Sequence, residues 1–145
     1  MIEYTVQVDE NATRWYLNGL LHREDGPAVE DANGTKQWFV NGLLHREDGP
    51  AIERANGSKS WYLNGKRHRE DGPAIVDAYG TKAWYLNGKR HREDGPAYER
   101  ANGNKAWWIN GEELSEDEFN ARTTTKELTV GELEDLLGYK IKVVK

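Results

Sequence analysis

The chain repeats itself every 23 residues. Trp15, Trp38, Trp61, Trp84 and Trp107 fall on one period, and His-Arg-Glu-Asp-Gly-Pro-Ala recurs from His22, His45, His68 and His91. A period of about 20–50 residues marks an array of small units, none of which buries enough surface to stand alone. Residues shared by every unit serve the architecture first, so function is to be sought where the units differ.

One unit, Ala51 to Ala74, contains Asn56-Gly57 and Asn64-Gly65. Asn-Gly is the strongest short hairpin signal, because both residues tolerate the positive φ of a type I′ turn. With each pair at a hairpin tip, Ile52 falls opposite Trp61, Arg54 opposite Lys59, and Trp61 opposite His68. The other units read Val8–Trp15–His22, Val29–Trp38–His45, Ile75–Trp84–His91 and Tyr98–Trp107–Leu114. Tyr16, Phe39, Tyr62, Tyr85 and Trp108 then lie on the opposite face. In the connecting Arg-Glu-Asp-Gly-Pro segments, Gly26, Gly49, Gly72 and Gly95 are expected to take backbone angles closed to other residues. Asp25, Asp48, Asp71 and Asp94 are expected to accept backbone amides.

The fold predicted is mainly β: an elongated antiparallel meander of hairpin repeats over residues 1–114, with a small α/β cap over 115–145. In the cap, Ser115 with Glu118 and Thr129 with Glu132 fit capping boxes. Thr123 to Thr125 reads as a break, and Gly138 as a helix end. Tyr139 to Val144 reads as a strand, and Leu133, Leu136, Leu137 and Ile141 are expected to pack on the last repeat.

Composition narrows the function classes. A chain of 145 residues with net charge −5 is expected to be one acidic domain that does not coat DNA. Mean hydropathy is −0.92, so the six Trp, seven Tyr and two Phe supply much of the core. Without Cys, neither a disulfide nor a thiolate metal site forms. No apolar run reaches the roughly 20 residues of a membrane span, and Met-Ile-Glu-Tyr-Thr lacks the pattern of a signal peptide. A cytoplasmic protein without a transmembrane segment is expected.

Trp-Tyr-Leu-Asn-Gly-Lys-Arg-His-Arg-Glu-Asp-Gly-Pro-Ala at this period resembles MORN-type repeats. More narrowly, it is similar to the variant repeats of uncharacterised proteins of tailed bacteriophages and giant viruses. The resemblance covers residues 4–111, and the tail also looks like that of phage proteins carrying such repeats. Here Lys-x-Trp-Tyr stands for the usual Tyr-x-Gly, and His-Arg-Glu-Asp-Gly-Pro for His-Gly-x-Gly. The resemblance implies a non-catalytic module for protein binding or membrane association, and a viral origin with the host cytosol as its location.

The four His-Arg-Glu-Asp runs invite a metal or acid–base reading. Equivalent residues two strands apart are separated by roughly 9–10 Å, whereas one metal needs ligands at about 2.0–2.2 Å. The histidines are therefore read as structural, with no metal site and no cofactor. An enzyme builds one unsymmetrical pocket; here the candidates recur identically, so no catalytic residue is assigned and the protein is read as no enzyme.

Variation between units marks the candidate binding residues. After the second Asn-Gly of each unit stand Leu20-Leu21, Leu43-Leu44, Lys66-Arg67 and Lys89-Arg90. A hairpin tip needs no leucine, and contiguous exposed apolar surface commonly marks a partner site. These eight residues form the leading partner surface, with self-association and internal packing of the leucines as alternatives. Tyr16, Phe39, Tyr62 and Tyr85 form a second candidate face. The functional expectation is a protein-binding scaffold, by resemblance a phage-encoded antagonist of a host defence protein. A nucleotide or small-ligand sponge and a structural or membrane-associated viral component are the alternatives.

Overall fold

The computed structural model describes residues 1–124 and 128–144. It is a mainly β chain built on a 12-stranded antiparallel sheet whose strands follow chain order. The sheet opens with the hairpin Thr5–Val8 and Ala12–Leu17 and closes with Lys105–Ile109 and Glu112–Leu114. Between them each unit contributes two short strands, as in Ile52–Glu53 and Lys59–Ser60. Beyond Trp38, Trp61 and Trp84 the chain forms separate tip hairpins, Phe39–Val40 with Leu43–Leu44, Tyr62–Leu63 with Lys66–Arg67, and Tyr85–Leu86 with Lys89–Arg90. Neighbouring tips are tied by backbone bonds such as Gly65 N–H to the Leu44 carbonyl and Arg46 N–H to the Tyr62 carbonyl.

The tips have the predicted register. Asn18, Asn41, Asn64, Asn87 and Asn110 have φ of 48–52° and the glycines after them 79–82°, so both central residues take the left-handed region of a type I′ turn. Each Trp also faces its His, as the bond from His68 N–H to the Trp61 carbonyl records.

The other Asn-Gly turn corrects the sequence reading by one residue. Ile52 lies opposite Ser60, not Trp61, and Glu53 opposite Lys59. Val29, Ile75 and Tyr98 likewise face Gln37, Ala83 and Ala106. Here only Gly57 has positive φ, and Arg54 pairs with Ser58 around Ala55-Asn56-Gly57. This is the three-residue loop in which a single left-handed Gly follows a type I turn. The Asn56 side chain accepts the Ser58 amide, which holds Asn56 out of the left-handed region. Arg54 therefore does not face Lys59; each such lysine sits beside a glutamate instead. In the first hairpin Asp9 accepts the amides of Asn11 and Ala12, so Val8 pairs with Thr13 and Trp15 with Val6.

Burial follows the period. Ala28, Ala51, Ala74 and Ala97 are fully buried, and each carbonyl accepts the N–H of a tryptophan, as in Trp61 to Ala74. The array ends by substitution: where other units carry His-Arg, the fifth has Leu114-Ser115. Leu114 is buried and Ser115 caps helix α1 (Glu116–Thr123), making both bonds of the capping box. Phe119 of α1 is buried, and the helix packs against the last hairpin.

Helix α2 (Val130–Leu137) also has both capping-box bonds and ends at left-handed Gly138, as predicted. The expected packing of the tail is only partly present. Leu136 and Leu137 are exposed, and the segment after the helix folds back on it: Glu134 accepts the Ile141 amide and the Lys140 ammonium. Tyr139 to Val144 forms no strand. Of the predicted break, Thr123 ends α1 and Thr124 caps it, while Thr125 lies outside the described residues.

Candidate functional site

The connecting loops are organised by one side chain that the sequence reading passed over. Arg23, Arg46, Arg69 and Arg92 each lay a guanidinium over the tryptophan eight residues earlier, with Cζ 3.9–4.1 Å from the ring centroid. Nε donates to the loop aspartate, as Arg46 to Asp48 at 3.0 Å. Nη1 donates to the proline carbonyl, as Arg46 to Pro50 at 3.1 Å. The loop aspartates thus accept arginine side chains where backbone amides were expected.

The same arginine explains the glycine. A Cβ on Gly26, Gly49, Gly72 or Gly95 would lie 2.9–3.0 Å from the guanidinium carbon, and none of the four has positive φ. Close approach, not unusual backbone, makes Gly necessary. Three of the arginines also reach a strand glutamate, Glu30, Glu53 and Glu99. Arg69 has no such partner because Val76 stands at that position.

The histidines tie each unit to the next. Nδ1 of His22, His45, His68 and His91 accepts the amide of Asn41, Asn64, Asn87 and Asn110, at 2.9–3.0 Å. With Nδ1 accepting, the proton of the neutral ring sits on Nε2, which lies 3.5–3.7 Å from the glutamate two residues on. At the first unit Tyr4 replaces a preceding loop, meeting Trp15 edge-on at 5.7 Å and His22 at 6.3 Å. Among the described residues no three His, Cys, Asp or Glu side chains converge for a metal ion.

The eight leading candidates divide between the two faces of the tip row. Leu21, Leu44, Arg67 and Arg90 pair directly with Tyr16, Phe39, Tyr62 and Tyr85. They therefore belong to the aromatic face, so part of the first surface and the second surface are one strip. Leu20, Leu43, Lys66 and Lys89 pair with Leu17, Val40, Leu63 and Leu86, on the tryptophan face. These four stack on the glycine of the following tip: a Cβ on Gly65, for example, would meet Leu43 at 3.3 Å. Stacking covers only half of each leucine; Leu20 and Leu43 remain 49% and 48% exposed.

The aromatic strip changes character along the array. Its N-terminal half is Tyr16, Leu21, Phe39 and Leu44. In the C-terminal half Arg67 bonds the Tyr62 hydroxyl and lies over Tyr62 and Tyr85. Arg90 bonds the Tyr85 hydroxyl and lies over Tyr85, Tyr98 and Trp108. Burial opposes the Arg67 charge, but the Tyr62 hydroxyl offsets this and the guanidinium is held above its ordinary value.

On the tryptophan face three equivalent grooves lie between successive loops. They have volumes of about 880, 660 and 690 Å³ in chain order. Each is walled by a loop on one side and by Trp38 with Val40, Trp61 with Leu63, or Trp84 with Leu86 on the other. Sequence reasoning had no signal for the grooves beyond the exposed carboxylates of the loops.

No helix among the described residues is long and apolar enough to cross a membrane. No family model, curated protein or solved structure matches the chain.

Proposed function

We propose that the chain is a non-enzymatic repeat scaffold that binds another protein through the tip row. Following the likeness of its repeats to those of phage proteins, the partner is a host defence factor that the chain antagonises in the host cytosol. One observation carries the binding reading. The turns, the histidine ties and the arginine-clamped loops are the same in successive units, yet the tip residues switch from Leu20-Leu21 and Leu43-Leu44 to Lys66-Arg67 and Lys89-Arg90. Since every tip keeps one backbone geometry with either pair, the architecture is indifferent to the switch. An apolar half gives affinity and a cationic half gives orientation and association rate. The matching partner surface is apolar with an acidic margin.

The experiment is tagged expression in a bacterial host, pull-down, and affinity measurement on the captured protein. Leu43→Asp and Leu44→Asp, made separately, distinguish the two faces of the row. The variant on the binding face should lose at least tenfold in affinity with an unchanged melting temperature. Retention of full affinity by both, and by Lys89→Glu with Arg90→Glu, would place the partner elsewhere.

A nucleotide sponge is the second reading, favoured by the arginine–tyrosine alternation from Tyr62 to Trp108 and by the buried Trp108 Nε1, which has no hydrogen-bond partner among the described residues. It requires a ligand-dependent rise in melting temperature that Arg90→Leu abolishes.

A further inference from the structure

We infer that the three grooves of the tryptophan face form a registered binding site for an extended, proline-rich cationic peptide with a Lys or Arg at every third residue. This surface lies opposite the aromatic side of the tip row, and the inference does not depend on the partner proposed above.

Charge is the first support. The four loops hold eight carboxylates against four guanidiniums, a local net charge of −4. The guanidiniums are engaged on tryptophan, aspartate and proline carbonyl. The glutamates are held more loosely: the side chains of Glu47, Glu70 and Glu93 are 79–85% exposed at the groove rims, each with one oxygen 3.5–3.7 Å from a histidine Nε2. The loops thus form a net acidic strip along the grooves, and its exposed glutamates offer acceptors to a cation.

Shape is the second. Each groove sets the rim carboxylates against an indole and an aliphatic side chain. Aromatic-walled grooves take proline-rich segments because the polyproline II helix is already extended and loses little entropy on docking. An acidic rim adds selection for a basic residue beside the prolines.

Spacing is the third, and it selects the ligand's period. Equivalent points on adjacent units are two strands apart, roughly 9–10 Å. A polyproline II helix advances about 3.1 Å per residue with three residues per turn, so every third side chain returns to one face after about 9.3 Å. Cations at positions one, four and seven meet three consecutive grooves without strain on either partner.

A histidine N–H at the groove agrees with a peptide ligand. The His91 side chain is nine-tenths buried and lines the groove of Trp84. Its Nδ1 is taken by the Asn110 amide, which leaves Nε2–H with only the Glu93 carboxylate nearby, at 3.5 Å. Polyproline II leaves its backbone carbonyls without internal partners, and one such carbonyl per turn faces this donor.

The test uses the whole chain and a fluorescein-labelled peptide of four Lys-Pro-Pro triplets, read by anisotropy at low salt. A second peptide has the same composition with its lysines irregularly spaced. The registered peptide should bind at least tenfold more tightly. It should shift the indole N–H resonances of Trp38, Trp61 and Trp84. Glu47→Gln with Glu70→Gln should weaken it tenfold or more at unchanged melting temperature, since both side chains are exposed. Leu44→Asp, on the opposite, aromatic face beside Phe39, should leave it unaltered. Equal affinity for the two peptides would reduce the effect to general attraction between polyions and overturn the inference. So would absence of binding, an unchanged affinity in the double variant, or shifts confined to the tip residues.

Discussion

The Arg46 guanidinium lies 3.9 Å above the Trp38 ring and, from that position, bonds Asp48, the Pro50 carbonyl and Glu53. One side chain thereby fixes the end of one unit, the turn and the first strand of the next. A flat cation with donors on several edges makes all of these contacts at once; the ammonium of lysine is a point charge and does not.

Arg46→Lys should therefore destabilise the protein by about 1–3 kcal/mol, combining the lost stacking with the lost bonds. Arg69→Lys should cost less, because Val76 leaves Arg69 without the third carboxylate that Arg46 finds in Glu53. Urea unfolding of the two variants measures the difference, and equal losses would mean that the strand glutamate contributes nothing.

Gly49→Ala and Gly57→Ala should both destabilise, for separate reasons. At Gly49 the new Cβ meets the Arg46 guanidinium at 3.0 Å; at Gly57 nothing lies within 4 Å, but φ is +90°. Adding Arg46→Ala should remove most of the Gly49→Ala cost and leave that of Gly57→Ala intact. A double-mutant cycle reads this directly.

Acid should loosen the loops. Hydrogen bonds and charge from Arg69 and Arg92 hold the Asp71 and Asp94 carboxyls below the ordinary aspartate value of 3.8. A carboxyl depressed in the folded state contributes stability that is present above the unfolded value and lost as pH falls through the folded one. The unfolding midpoint should therefore decline below about pH 3.8, and Asp71→Asn with Asp94→Asn should flatten that decline.

The histidines should respond as tethers. Nitrogen NMR of the neutral rings should find the proton of His45 and His68 on Nε2, with Nδ1 in the shift range of an acceptor. A chelator should leave the melting temperature unchanged. A stoichiometric metal in the purified protein, lost with His68→Ala, would contradict this assignment.

The tail should divide at Thr124. Phe119→Ala should cost about 3–5 kcal/mol, since the ring is buried against the last hairpin. A chain ending at Thr124 should melt with the full-length protein, because Leu136 and Leu137 are exposed. A marked fall in melting temperature on truncation would show that α2 supports the array.

The period, the antiparallel meander, the tip turns and both capping boxes were legible because each rests on a local rule. The other Asn-Gly turn was not: Asn64-Gly65 and Asn56-Gly57 are the same dipeptide, and what separates them is whether the Asn side chain is spent on a backbone amide two residues on. The error of one residue moved Ile52 and Arg54 to the wrong partners. The candidate tip residues were found by comparing units, and the tip register that pairs Tyr62 with Arg67 was legible too; grouping the eight residues as one surface overlooked that this register divides them between two faces. The arginine clamp left a readable trace, Arg always eight residues after Trp and three before Gly. That trace reads equally as a charged loop until the ring and the guanidinium are seen stacked.

The His22–Asn41 tie has a counterpart at every later junction, His45 to Asn64, His68 to Asn87 and His91 to Asn110. A junction that uses the same atoms each time does not record its place in the chain. Loss or duplication of 69 nucleotides in register, within a gene that spells the same seven residues four times, would join two ends that already fit. Such recombination changes how many grooves and tips a descendant carries while leaving the rules of its assembly untouched, and makes valency the trait most readily altered by selection.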